Sequence, residues 1–360
     1  MFASLPPYIL YIASVIVSAV VSMYAVKKLI FIARKRKIYD IPDNIRKIHG
    51  AEIPSLGGIG VFIGYMATIP LFIASGAGPG WNYIIVSTVI LFFTGIYDDL
   101  MNMRPSKKLL AQLIASAVTV YFADIRLVSF YGLFGIEQLP YWVSVGLTTF
   151  LCTFFINVYN FIDGIDGLAC LLGMLYCAVF GCFFILENQP AEACICFCLL
   201  GATAGLLYYN YAPAKIYLGD TGSMLTGFSI FIFALGILGR TVYHNRELAG
   251  VSRNSPELMM VVAVLFYPVF DALRVFALRL KNGISPLKAD RRHLHYYLLD
   301  SGMGHAATAW LLVGVNALTI LIAMLAISLH PVLQLLLIAA PSSFVAVIAH
   351  RAMRKKMSKQ

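Results

Sequence analysis

Residues 141–187 read YWVSVGLTTFLCTFFINVYNFIDGIDGLACLLGMLYCAVFGCFFILE. Two apolar runs, 141–160 and 167–187, each approach the roughly 20 residues that a membrane-crossing helix needs. Between them lie Asn157, Asn160, Asp163, Gly164, Asp166 and Gly167. Carboxylates at such helix ends are costly unless solvated, paired or holding a cation. The stretch therefore predicts two spans joined by a polar segment at one membrane face.

Working outward, the same pattern recurs. Of the 360 residues, 60% are hydrophobic and only 12% charged, against about 25% charged in an ordinary soluble domain. That composition excludes a globular soluble protein, a disordered chain and a disulfide-rich module. The apolar runs predict spans at about 8–32, 56–75, 81–97, 109–123, 141–160, 167–187, 191–209, 223–239, 257–280, 307–329 and 331–350. The first is too long for a signal-peptide core and has its basic residues after it. The seven cysteines lie in apolar stretches without a C-x-x-C spacing and read as packing residues.

The formal charge of +10 serves orientation rather than nucleic-acid binding. With the N-terminus outside, only Arg126, Arg240, Arg246 and Arg253 of the 27 Lys and Arg fall on the outer side, as the positive-inside rule requires. The fold expected is all-α, a polytopic membrane protein of about eleven transmembrane helices with the N-terminus outside and the C-terminus cytoplasmic. Residues 1–360 form a single integral membrane domain. Its cytoplasmic loops are about 33–55, 98–108, 157–167, 208–222 and 281–306.

That topology puts four polar clusters on one face. They are Asp98-Asp99, the 157–167 segment, Asn210 to Gly222 with Gly219-Asp220-Thr221-Gly222, and Asp290-Arg291-Arg292-His293-Leu294-His295. Asn160, Asp163, Asp166 and Asp220 supply the oxygen ligands that a hard ion such as Mg²⁺ takes. Mg²⁺ binds through one or two protein ligands plus substrate phosphates, so a phosphate substrate is implied. Gly164 and Gly167 leave room for a ligand to approach the backbone. Lys107, Lys108, Arg291, Arg292 and the two histidines can neutralise phosphate oxygens, although Lys107-Lys108 also fits an interfacial anchor. His244, His305, His330 and His350 stand isolated and carry no assigned chemistry.

At these residues the chain resembles the polyprenyl-phosphate N-acetylhexosamine-1-phosphate transferases. The resemblance runs from about Pro54-Ser-Leu-Gly57-Gly58 to His295 and is specific because four motifs occur in order. It implies transfer of a sugar-1-phosphate, first of all GlcNAc-1-phosphate, from a UDP-N-acetylhexosamine to undecaprenyl phosphate on the cytoplasmic face. UMP would leave, and lipid-linked surface polysaccharide synthesis would start. The resemblance implies catalytic roles for Asp98, Asp99, Asp163, Asp166 and Asp220, with Asp220 and Asn160 as ligands of Mg²⁺, for which Mn²⁺ is a substitute. Asp98 or Asp99 would deprotonate or position the lipid phosphate, and Lys108 would clamp it. Asn157, Asn160, Gly164, Asn210 and Tyr217 fall to the substrate side, Tyr217 as a stacking partner for uracil. Arg291, Arg292, His293 and His295 would contact diphosphate or sugar. The expected partners are the two substrates and the lipid bilayer, with no nucleic acid and homodimerisation left open. The location is the bacterial inner membrane.

The acetylglucosaminyl branch usually reads His-Ile-His-His in the last loop, whereas Tyr296 stands at its fourth position here. UDP-GalNAc and UDP-MurNAc-pentapeptide are the alternative donors, the latter weakened by the absence of a consecutive histidine run. A transporter would place acids near helix midpoints; Asp271 is the only acid well inside a predicted span. An enzyme joining CDP-linked phosphatidyl groups to alcohols would need an Arg that Asp166-Gly-Leu-Ala-Cys170 lacks.

Overall fold

The computed structural model describes residues 6–38, 53–73, 80–131, 136, 138–247, 256–285 and 291–357. Among them every regular element is a helix. In chain order these are α1 (Pro7–Arg36), α2 (Gly57–Phe72), α3 (Trp81–Met101), α4 (Pro105–Phe122), α5 (Tyr141–Ile162) and α6 (Leu168–Leu186). Next come α7 (Pro190–Asn210), α8 (Gly219–Glu247), α9 (Pro256–Lys281), α10 (Leu294–Asp300), α11 (His305–Leu325) and α12 (Pro331–Met357). Each expected span overlaps one helix, and α10 is a short addition in the last polar loop. Among the described residues nine helices are long and apolar enough to cross a membrane. At 16 residues α2 is shorter, and α4, which starts with Lys107 and Lys108 in its first turn, is not among the nine.

Proline starts α1, α4 and α7, where its missing N–H costs nothing and its fixed φ suits the first turn. In α8, 83% of the most apolar stretch is buried, against 22% in α1 and in α12. The bundle is therefore built around α8, with α1 and α12 at the periphery turning Ile12, Ile16, Val20, Leu336 and Phe344 outward.

With little hydrophobic drive between helices in lipid, close backbone approach and internal hydrogen bonds take over. Ser18 Oγ on α1 donates to the Cys198 carbonyl on α7 at 2.6 Å and lies 3.0 Å from the Gly64 carbonyl on α2. Ser22 Oγ donates to the Ala202 carbonyl at 2.8 Å. A Cβ on Gly201 would stand 2.2 Å from the Val15 carbonyl oxygen, so only glycine permits this α1–α7 contact.

Pro268 interrupts α9 and leaves the Val264 carbonyl without its helical donor. Asn316 on α11 supplies one: its Nδ2 donates to that carbonyl at 3.1 Å, and its Oδ1 accepts the Tyr267 N–H at 3.2 Å. The break is thus satisfied inside the protein, as a low-dielectric setting demands. The C-terminal ends of α3, α5, α7 and α9 and the N-terminal ends of α2, α4, α6, α8 and α11 then carry the polar clusters at one end of the bundle.

Candidate active site

The turn into α8 is the centre of the site. Gly219 has φ +73°, a left-handed conformation that favours glycine, and Asp220 follows in the first helical turn. Three other elements grip this turn through its backbone. Asp99, from the end of α3, accepts the Asp220 N–H at 2.7 Å through Oδ1. Its Oδ2 accepts the Thr221 N–H at 3.0 Å and the Thr221 hydroxyl at 2.6 Å. Asp99 is thus a helix cap delivered from another helix. Asp163 Oδ2, at the end of α5, accepts the Gly219 N–H at 3.2 Å. From α2, the N–H groups of Gly57 and Gly58 donate to the carbonyls of Tyr217 and Leu218 at 2.9 and 2.8 Å.

These grips aim the Asp220 side chain at Asp98 and Lys108. Lys108 Nζ lies 2.8 Å from Asp98 Oδ2 and 2.5 Å from Asp220 Oδ1. Burial works against the Lys108 ammonium, but Asp220 and Asp98 outweigh it, and the pKa is held above the ordinary lysine value. Asp98 Oδ1 also accepts the Met103 N–H at 2.7 Å. Asn160 Nδ2 donates to the same Asp220 oxygen and to Ser223 Oγ, the latter at 2.7 Å. Asp98, Lys108, Asn160 and Asp220 therefore meet at one point, whereas the exposed Lys107 does not join them.

The donor set fits a magnesium-type ion. Asp220 offers a carboxylate, and a half-turn of the Asn160 amide brings its carbonyl oxygen to the same point. Among the described residues no three His, Cys, Asp or Glu side chains form a protein-only cage. An ion that takes one or two protein ligands and completes its shell with substrate phosphate and water needs none.

Around this centre several expected residues serve as braces. Asn210 is buried, with Oδ1 accepting the Gly167 N–H at 3.1 Å and Nδ2 donating to the Ile216 carbonyl at 2.9 Å. It ties the 163–167 loop to the 211–218 loop and has no side-chain surface turned to a ligand. Asp166 Oδ2 accepts the Ala214 N–H at 3.1 Å. Asn157 Nδ2 donates to Gln112 Oε1 at 2.6 Å, and Tyr217 is half-buried, its N–H on the Pro54 carbonyl at 2.9 Å.

The room expected over Gly164 is already filled. A Cβ there would meet His295 Nε2 at 2.3 Å and the Tyr296 hydroxyl at 2.9 Å. His295 is fully buried, and neither ring nitrogen has a hydrogen-bond partner among the described residues. Burial, then the neighbouring His293, pushes its pKa down to about 3, so the ring is neutral. The His293 and His295 rings lie 5.6 Å apart and nearly parallel. Arg291 is drawn to Asp300 at 3.0 Å and over the Tyr296 ring, and Arg292 is half-buried. Asp290, Lys288 and most of the 33–55 loop lie outside the described residues. A cavity of about 260 Å³ at the opposite end of the bundle, lined by Trp81, Asp124, Arg126 and Glu192 among others, contains none of the expected site residues.

Comparison with known proteins gives the family. The family model described as "Glycosyl transferase family 4" matches residues 81–238. The decaprenyl-phosphate N-acetylglucosaminephosphotransferase of Mycobacterium leprae is 30% identical over 283 residues, covering 72% of this chain and 70% of the relative. The chain belongs to glycosyl transferase family 4. A probable undecaprenyl-phosphate N-acetylglucosaminyl 1-phosphate transferase of Bacillus subtilis is 30% identical over 278 residues, covering 76% of this chain and 73% of the relative. The undecaprenyl-phosphate alpha-N-acetylglucosaminyl 1-phosphate transferase of Escherichia coli K12 is 28% identical over 281 residues, 75% of this chain and 71% of the relative.

In this family 4 chain two polar residues join the site region without a motif to announce them. His305, at the start of α11, accepts the Asp166 N–H at 3.3 Å through Nδ1 and lies 3.4 Å from Asp166 Oδ1, which corrects its reading as an isolated histidine. Asp271 on α9 contacts His293 at 2.9 Å. Asp271 was visible as the lone acid inside a span, whereas nothing in the sequence around His305 points to Asp166.

Proposed function

We propose that the protein transfers N-acetylglucosamine-1-phosphate from UDP-N-acetylglucosamine to undecaprenyl phosphate, releasing UMP at the cytoplasmic face of a bacterial inner membrane. The observation that carries this reading is the convergence of Asp98, Lys108, Asn160 and Asp220 at one end of a helical bundle. Both reactants are anionic and one is confined to lipid, so the site must neutralise charge at the edge of the bilayer. The printed activities of the relatives support the choice of sugar and of a polyprenyl phosphate acceptor. The orientation rests on the basic residues: eleven spans, including α2 and α4, with the N-terminus outside and the C-terminus inside.

In the reaction a lipid phosphate oxygen attacks the sugar-bearing phosphorus of the UDP-sugar. The bond from that phosphorus to the bridging oxygen breaks, and UMP leaves with the oxygen. Asp220 and Asn160 would hold Mg²⁺, which supplies charge neutralisation on the diphosphate. Lys108, at the first turn of α4, would take a phosphate oxygen of the lipid. With a phosphate second pKa near 6, much of the acceptor is already dianionic at neutral pH. The work of Asp98 is therefore positioning of Lys108 more than proton removal. Asp99 and Asp163 hold the α8 turn, and the 291–295 segment lies towards the sugar phosphate.

The test is UMP release from a panel of UDP-sugars with undecaprenyl phosphate and Mg²⁺. UDP-N-acetylglucosamine is expected to be the best donor, and Asp220→Asn to abolish release while the protein stays folded. Release with UDP-N-acetylgalactosamine alone would overturn the sugar, and wild-type release by Asp220→Asn would overturn the metal assignment.

A further inference from the structure

Asp271, midway along α9, has no part in the reaction as written. Asp271 is fully buried, where a carboxylate costs several kcal/mol unless it is paired and hydrogen-bonded. Both of its oxygens are engaged. Oδ1 accepts from Arg274 Nη2 at 2.8 Å and from the Leu294 N–H at 3.1 Å. Oδ2 lies 2.9 Å from His293 Nδ1. Arg274 carries the grip one residue further, its Nη2 donating to the Arg292 carbonyl at 2.5 Å while its guanidinium lies over the Tyr297 ring. One ion pair on α9 thus holds three consecutive residues of the last polar loop, by a carbonyl, a ring and an amide. The helix delivering it is itself fixed, since Asn316 satisfies the Pro268 break one turn away.

A carboxylate accepts and cannot donate, so the hydrogen of His293 is on Nδ1. That leaves Nε2 directed away from Asp271. We propose that Asp271 is a positioning residue for the transfer reaction: it fixes the Nδ1–H tautomer of His293 and the Arg292–Leu294 backbone, so that the unprotonated His293 Nε2 is presented as an acceptor to a hydroxyl or amide N–H of the donor's sugar. This rests on the reaction proposed above. It differs from a purely structural buried ion pair because the effect on rate passes through one ring.

The experiment is Asp271→Asn in the full-length protein, alone and combined with His293→Ala. The amide keeps the shape and still accepts from Leu294 N–H and Arg274, but its NH₂ faces His293 Nδ1 and calls for the opposite tautomer. Three results are expected: the His293 ring ¹⁵N spectrum shows Nδ1 losing its hydrogen, kcat falls about 10- to 100-fold, as for other residues that orient a functional histidine, and KM for the UDP-sugar moves less. In the His293→Ala background Asp271→Asn should cost no further activity, because the two act as one unit. Wild-type kcat in Asp271→Asn, an unchanged His293 spectrum, or full additivity of the two losses overturns the inference. If Asp271→Asn does not fold, Arg274→Lys preserves the charge balance but cannot reach both Asp271 and the Arg292 carbonyl. It should show the same kcat-selective loss, and wild-type kcat there overturns the inference equally. UMP release by the wild-type protein separates the two levels. An inactive wild type overturns the proposed reaction and this inference with it, whereas an active wild type matched by its variants overturns the positioning role alone.

Discussion

Gly58→Ala tests whether the grip on the Asp220 turn is what makes the site. Gly58 is the second residue of α2, and a Cβ built there stands 2.0 Å from Gly222 N, 2.5 Å from Gly222 Cα and 2.7 Å from the Thr221 carbonyl carbon. All three are backbone atoms, so no rotamer change relieves the clash. Restoring ordinary contact at about 3.4 Å requires a separation of about 1.4 Å between α2 and the start of α8. That movement pulls on the two hydrogen bonds from Gly57 and Gly58 to Tyr217 and Leu218. Overpacking costs about 1–3 kcal/mol and each of the two weakened hydrogen bonds about 0.5–1.5 kcal/mol, giving a loss on the order of 2–6 kcal/mol. A displacement of about 1 Å at reacting groups costs about 10²-fold in rate, so UMP release should fall by at least that factor. The assay pairs UMP release with thermal melting in detergent. The control is Gly314→Ala on α11, where nothing lies within 4 Å of the new Cβ. There the helix should gain up to about 1 kcal/mol and the rate should not change. Wild-type release and melting by Gly58→Ala would refute the reasoning.

Three further outcomes follow from the same geometry. Asp99→Asn keeps one acceptor but loses the second of the two oxygens that cap the α8 N-terminus, and it should cost about 0.5–2 kcal/mol of stability together with a fall in kcat; an unchanged melting temperature counts against the cap. For His295 the pKa is lowered to about 3 in the folded protein against about 6.5 unfolded. The unfolded state binds more protons between these values, so this contribution is complete above about pH 6.5 and is lost as pH falls towards 3. By pH 5 the loss is about 2 kcal/mol, and melting curves at pH 7, 6 and 5 should show a shallower decline in His295→Asn than in wild type. Equal declines would rule out His295 as the source. His305→Ala removes a partner of Asp166 and should raise KM for the UDP-sugar several-fold with little change in kcat; an unaffected KM separates His305 from donor binding.

How far the sequence reached depends on which signal each feature leaves. Apolar runs of about twenty residues are long, local and redundant, and each expected span overlaps one helix. The positive charges sort by side, which placed Asp98, Asn160, Asp163, Asp166, Asp220 and His293 together before any contact was known. Division of labour within that cluster was not legible. Asp98 and Asp99 are neighbours of the same type, yet one pairs with Lys108 and the other caps α8, because adjacent side chains leave a helix about 100° apart. Gly164 looked like space for a ligand, but the space belongs to His295, 131 positions away in the chain. His305 carried no motif because its partner is a backbone N–H that any residue could supply.

By itself the sequence determined the membrane fold, the end of the bundle at which the polar clusters gather and the residue types available there. These follow from hydropathy and charge, which act locally or across the whole membrane. Only the tertiary structure decided that Asp220 is aimed by backbone grips from α2, α3 and α5, that Lys108 joins it to Asp98, and that Asp271 meets His293. These depend on angles and distances of a few tenths of an ångström between segments far apart in the chain, which spacing along one strand of sequence does not encode.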